Sequence, residues 1–430
     1  MVRSFLLVFL LFIFDKVYTQ NLSLSEAIEI GIKNRTEIKT GSLLLQSEQM
    51  KNDKIKASWL PQFSVAGDFR YNAILQQSVL PIGEFGIPGV GQDATTTVAF
   101  GVPFNTSVGV DVNQKIFDPN KKIDKKLNIN AVNNQSIEIE KQKKDIRYVI
   151  TEAYYQVVFQ KEKIIFSEQA VSRAEVNLEN VKTRFASGTA LANDVDRLSL
   201  DLSNALIAAR KAQQDYTFAI EQLKYRMNVG KDTKVEISET IQSMIQSGDL
   251  QQAETSPVNT TILKEQIAMN NNELLAQKAT RQFVPTISAY GNLSLLALNE
   301  NVYPFSYVGI RTTMLLYDGK QANLAKQDYL LKQRINQLNI DQLTSDLDFE
   351  IRSARKSLEQ AQLDLEESEK NVNLARNVYK TDVFRFEKGN LVLSDLKNSE
   401  FTLQNTENNY LTAAYNYLMA ALKLDKVLEK

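Results

Sequence analysis

The sequence predicts a mixed α and β membrane protein, with long α-helical coiled-coil hairpins and four transmembrane β-strands per chain. Three observations carry that prediction. One order of segments occurs twice, each copy holds two runs with a period of two, and each ends in a helical heptad run of about 65 residues, on the order of 100 Å at the α-helical rise. The duplication is plainest in Arg184-Phe185-Ala186-Ser187-Gly188 with Asp194, which Arg385-Phe386-Glu387-Lys388-Gly389 with Asp395 repeats at an offset of 201 residues. Further upstream Ile116-Phe117-Asp118 answers Leu316-Tyr317-Asp318, and Leu60-Pro61-Gln62-Phe63-Ser64 answers Val284-Pro285-Thr286-Ile287-Ser288.

Residues 1–19 read as a secretion signal: Arg3, the apolar run Phe5 to Phe14, then a plausible cleavage site at Val17-Tyr18-Thr19. That run is too short for a membrane-spanning helix, and no other stretch approaches the length one needs. The first repeat is expected over residues 20–228. It opens on a Ser N-cap candidate within Leu22-Ser23-Leu24-Ser25-Glu26-Ala27 and continues as a helix to about Trp59, where Leu60-Pro61 stops it. From Phe63 the period becomes two, with Phe63, Val65, Gly67, Phe69 and Tyr71 alternating with polar or small neighbours, which predicts a strand over 63–72. A second strand is predicted over 104–116, where Val108, Val110 and Val112 alternate with Ser107, Asp111 and Asn113. Between them, Pro81 to Gly101 reads as a long hairpin loop.

The heptad seam of the first copy includes Ile146, Ile150, Ala153, Val157, Ile164, Val171 and Ala174, and the chain reverses at a tip over 184–195. Residues 229–257 lose the long-helix pattern and are expected to form an equatorial linker. The second repeat, 258–430, is expected to give strands over 286–296 and 306–317 joined by the shorter loop Asn299 to Phe305, then a hairpin with its tip at 385–396. Its seam runs through Leu347, Ile351, Ala354, Leu358, Ala361 and Leu365.

Composition excludes much chemistry. The chain has no Cys and no His, which removes disulfides, thiolate nucleophiles and the usual metal-ligand and acyl-transfer sets. No catalytic constellation is evident, so no enzyme activity, cofactor or metal is expected. A formal net charge of −1 with interspersed signs gives no footprint for nucleic acid. The Lys-rich stretch Lys121 to Lys144 reads as a solvated helix face.

Four strands cannot close a barrel, and an open sheet edge in a bilayer leaves backbone groups unsatisfied at several kcal/mol each. Closure therefore calls for other copies of the chain. In this order and duplicated, the start at Leu24 to Ala27, the Pro61 and Pro285 junctions, the two apolar-aromatic-Asp triplets and the paired Phe-x-x-Gly tips resemble the TolC family of outer-membrane efflux ducts, over essentially the whole chain after the signal. The resemblance implies a homotrimer in the cell outer membrane with a 12-stranded β-barrel and a periplasmic α-helical tunnel. It implies a passive channel of a tripartite efflux or type I secretion system. Its partners are then outer-membrane lipid, a periplasmic adaptor (membrane fusion) protein and an inner-membrane transporter whose class stays open. A periplasmic coiled-coil adaptor or scaffold is the alternative reading.

Site residues follow from the tips. Asp194 and Asp395 stand where an inward-facing position becomes an acidic ring in a trimer; helix capping is the competing reading. By resemblance Asp395 matches the first of two constriction acids, and Asn398 stands where the second is expected. Asn390-Leu391-Val392 lacks the basic residue that helps lock related tunnels, so Leu391 and Leu393 are expected to form a hydrophobic iris. Gly188 and Gly389 suit a tight reversal. Thr189 and Asn390, with Phe185 and Phe386, are candidates for adaptor docking, although packing between helices is the commoner role for such aromatics.

Overall fold

The computed structural model describes residues 22–85, 88–89, 91–247 and 259–429. The expected signal at 1–19 and part of the linker at 229–257 lie outside them. The chain divides into two compact units. One comprises residues 1–43, 136–263 and 340–430, the other 44–135 and 264–339.

In the first unit, Ser23 caps helix α1 (Leu24–Asn34) through a capping box. Its hydroxyl accepts from Glu26 N, and the Glu26 carboxylate accepts from Ser23 N at 2.9 Å. The predicted single helix to Trp59 is interrupted at Arg35, whose extended backbone (φ −61°, ψ 131°) separates α1 from α2 (Thr36–Ala57). Helices α3 (Lys121–Ala186) and α4 (Ala192–Met227) form the first hairpin, a short α5 (Ile241–Ser247) follows, and α6 (Thr260–Arg281) leads into the second strand pair. Helices α7 (Gln321–Glu387) and α8 (Leu393–Val427) form the second hairpin.

The central core of this unit gathers Ile150, Tyr154, Val157, Leu223, Met227, Ile241, Ala414 and Leu418 from α3, α4, α5 and α8. Tyr154 is fully buried, and its hydroxyl donates to Leu22 O at 2.8 Å. Burial pushes its ionisation far above the ordinary tyrosine range, so it stays a neutral donor that ties the segment just before α1 to α3. Gly31 lets α1 lie close to α3: a Cβ there would fall 2.0 Å from Ile150 Cδ1, so the buried Ile150 side chain would have to turn away.

The second unit carries the sheet. Strands β1 (Gln62–Tyr71), β4 (Phe104–Phe117), β5 (Thr286–Leu298) and β6 (Asn301–Thr313) form an antiparallel four-stranded sheet in that order. The connection predicted as loop between β1 and β4 contains a second small sheet, β2 (Gln76–Pro81) paired with β3 (Thr95–Phe100), so six strands are present among the described residues. Short runs such as Ser78-Val79-Leu80 and Thr97-Val98-Ala99 gave no sustained alternation. The predicted Asn299–Phe305 loop shrinks to a two-residue turn in which Asn299 has φ 51°, and β6 begins at Asn301 and ends at Thr313.

Register places Phe63, Val65, Val108, Val110, Leu293, Leu295, Val308 and Ile310 on one face of the large sheet. The opposite face mixes polar and aromatic side chains, with Asp111, Asn292, Ser294 and Arg311 beside Tyr290, Tyr303, Phe305 and Tyr307. There Asn292 Nδ2 donates to Asp111 Oδ1 at 2.8 Å and Ser294 Oγ to Asn292 Oδ1 at 2.7 Å. The apolar face is bare: Phe63 is 72% exposed and Val308 91%. Both outer strands, β1 and β6, have one unpaired edge within the sheet. No described helix is long and apolar enough to cross a membrane.

Candidate functional site

The two hairpin tips close by the same hydrogen bonds. At the first, Gly188 N donates to Phe185 O (2.9 Å) and Thr189 N to Arg184 O (2.8 Å); at the second, Gly389 N donates to Phe386 O (2.9 Å) and Asn390 N to Arg385 O (2.8 Å). These are Schellman turns, and each glycine sits at φ +76°, the left-handed region where a Cβ is penalised. Nothing lies within 4 Å of a Cβ built at either glycine, so φ alone imposes the residue.

Inside the tips, Leu178 and Val181 of α3, Leu198 of α4, Tyr379 and Phe386 of α7, and Leu396 and Leu403 of α8 form one apolar cluster. Phe386, offered above as a docking aromatic, is 3% exposed and belongs to this core. The Arg184 guanidinium lies 4.7 Å from its ring centroid and donates to Phe386 O at 3.1 Å. Phe185 is 49% exposed, so of the two aromatics it alone offers a free surface. Leu391 and Leu393 are half-buried against the cluster, whereas Gly188, Thr189, Gly389 and Asn390 are exposed.

The two acids differ as well. Asp194 is half-buried, and its Oδ2 accepts from Leu191 N at 3.2 Å, which holds the start of α4. Asp395 is exposed, and with Asp382, Asn398, Thr402 and Val378 it lines a groove between α7 and α8.

One polar layer escaped the sequence reading. Above the tip core, Arg173 Nη2 of α3 meets Glu407 Oε2 of α8 at 3.0 Å, with Arg376 Nη2 of α7 at 3.9 Å from the other carboxylate oxygen. Nearer the tip, Asn177 Nδ2 donates to Tyr379 Oη and to Glu400 Oε2, both at 3.2 Å. Burial raises the Glu400 carboxyl above its ordinary range against the opposing pull of Arg173, with Asp201 adding to the rise. Burial, reinforced by Glu400, pushes the Tyr379 hydroxyl up to about 12. The available signal was spacing: Glu400, Leu403 and Glu407 follow heptad steps, so two acids occupy seam positions of α8.

Among solved structures, the VceC outer-membrane protein of Vibrio cholerae superposes with a TM-score of 0.71 at 13% identity, covering 94% of this chain and 96% of that one. The fold is that of the TolC-family outer-membrane channels. The CmeC outer-membrane channel of Campylobacter jejuni matches with a TM-score of 0.70 at 13% identity over 94% and 85% of the two chains. The MtrE outer-membrane channel of Neisseria gonorrhoeae matches with 0.68 at 12% identity over 94% and 88%. No protein-family model and no curated protein sequence matches the chain. Against this channel fold, the Phe-x-x-Gly turns lie at the ends of both helical hairpins, and the two-faced sheet lies in the other unit.

Proposed function

We propose that the protein is a passive channel of the outer membrane, acting as a homotrimer whose three four-stranded sheets close a 12-stranded barrel above a periplasmic helical tunnel. The observation that carries this reading is the large sheet: one bare apolar face, an opposite face that carries the hydrogen-bonded Asp111, Asn292 and Ser294 among tyrosines, and two open edges. Lipid accommodates such a face only if neighbouring copies pair the edges, because unpaired backbone groups cost several kcal/mol each in hydrocarbon. The shared fold with outer-membrane channels supports the same arrangement.

The chain then serves a tripartite efflux or type I secretion system, taking cargo from an inner-membrane transporter through a periplasmic adaptor. The two repeats, 20–228 and 258–430, supply the two hairpins of each protomer. Adaptor docking is assigned to the exposed tip surface at Gly188, Thr189, Gly389, Asn390 and Phe185. A tip constriction is assigned to Asp395 and Asn398, with Leu391 and Leu393 contributing their exposed edges; Asp194, engaged with Leu191 N, is the weaker candidate for a ring.

Electron microscopy of the detergent-extracted outer-membrane fraction tests the reading. The expected image is a hollow threefold tube with a short barrel end. A water-soluble solid rod without a barrel would overturn it in favour of an adaptor or scaffold.

A further inference from the structure

We propose that the cleft where the first strand pair meets the helices binds the headgroup of an anionic phospholipid, whose acyl chains lie along the apolar sheet face. This rests on the outer-membrane reading above. The cleft lies within the sheet-bearing unit, floored by Trp59, Ile116, Phe117 and Val284 and rimmed by Lys121, Lys122 and Arg281.

Its parts are held in place. Lys121 Nζ stands 3.7 Å from the Trp59 ring centroid, Arg281 Nη1 donates to Pro119 O at 3.0 Å, and Gln114 Nε2 donates to Trp59 O at 3.4 Å. The acid in the lining, Asp118, is already engaged. Its Oδ1 accepts from Asn120 N at 2.9 Å, and its Oδ2 lies 3.8 Å from Lys115 Nζ. Three cationic side chains therefore face a site whose one carboxylate is occupied, beside an aromatic floor and next to bare apolar strands. A headgroup with a negative phosphate attached to a hydrocarbon tail satisfies both halves; a free phosphate satisfies only the rim.

Charge distribution points the same way. Residues 51–61, 115–126, 278–284 and 317–328, which flank the helix-side ends of the strands, hold twelve Lys and Arg against five Asp and Glu. Residues 71–114 and 285–310, which carry most of the strands and both turns, hold no Lys or Arg and four acids. Within the strand-bearing part of the chain, Lys and Arg thus gather at the helix-side ends of the strands, with Arg70 at the turn end of β1 as the exception. The Lys-rich start of α3, read from sequence as a solvated face, supplies two cations of the cleft.

The full chain, purified in detergent, tests this by native mass spectrometry of bound lipid with phosphatidylglycerol and phosphatidylcholine offered in equal amounts. Phosphatidylglycerol is expected to be retained preferentially, and the preference should fall as salt rises. Replacing Lys121, Lys122 and Arg281 by Gln should weaken it about fivefold per cation, while the outlying pair Lys125→Gln/Lys126→Gln should leave most of it. Equal retention of the two lipids by the wild type overturns the proposal, as does an equal loss in the outlying pair. Displacement of phosphatidylglycerol by inorganic phosphate, beyond what chloride achieves at the same ionic strength, would make the rim a free-phosphate site and also overturn it. A chain absent from the outer-membrane fraction would remove the channel reading itself; a chain present there without headgroup preference would remove only this one.

Discussion

Phe185 and Phe386 hold the same position in the same Schellman turn, yet one is half exposed and the other is enclosed. The difference lies in what reaches across. Arg184 from the first tip covers the Phe386 ring and bonds its carbonyl, whereas Arg385 of the second tip turns to Asp382 on its own helix at 3.6 Å. The acids diverge in parallel, Asp194 bonding the start of its helix and Asp395 staying open to the α7–α8 groove. A repeated sequence therefore fixes the turn but not its duty. One tip becomes the shared core, and the other keeps its aromatic outside.

The largest test of that contrast is truncation of the two aromatics. Phe386→Ala should cost about 3 to 5 kcal/mol by emptying the tip core, while Phe185→Ala should stay within about 1 kcal/mol, since its ring is already half in solvent. Hydrogen exchange at both hairpins checks this, and equal effects would break the comparison.

Next in size is a pH effect confined to the layer beside Phe386. The folded Glu400 carboxyl sits above its ordinary value because of burial, so the native state holds a proton that the unfolded chain has released. Stability from this group is present below the ordinary carboxylate range and is lost as pH rises through the raised value. Arg173, Asn177 and Lys397 hold the charged form, whereas Asp201 opposes it. Glu400→Gln should flatten the pH dependence of hairpin melting in that window; an unchanged slope would show that Glu400 titrates normally.

The arginines come third. Arg184→Ala should cost about 1 to 2 kcal/mol, because it removes a charged hydrogen bond and a ring contact. Arg385→Ala should cost no more than about 0.5 kcal/mol, as expected for an exposed pair. Thermal melting of the two variants ranks them. Smallest is the acid pair: Asp194→Ala should lose about 1 kcal/mol of α4 start stability, and Asp395→Ala about half as much from the helix dipole alone. In single-channel recordings the order should reverse, with Asp395→Ala changing the conductance and Asp194→Ala changing it little.

Periodicity made most of the architecture legible. Alternation from Phe63 marks β1, heptads mark α3 and α7, and glycine at φ +76° was readable because a reversal needs that backbone region. Weaker signals failed where local patterns were short or where no residue type forced the outcome. The β2–β3 pair consists of six-residue strands amid turn residues, and the break at Arg35 occurs without proline or glycine at that residue.

The sequence by itself determined the long helices, the four strands of the large sheet and their order, the two tips, and the absence of thiol and imidazole chemistry. These depend on residue type and spacing along one chain. Only the tertiary structure decided which of two equivalent phenylalanines is buried, which acid is engaged, how Glu400 and Glu407 are neutralised, and that Lys121 stacks on Trp59. Each of those depends on what a neighbouring element presents across a gap of a few ångströms, and repeated local sequence carries no record of that neighbour.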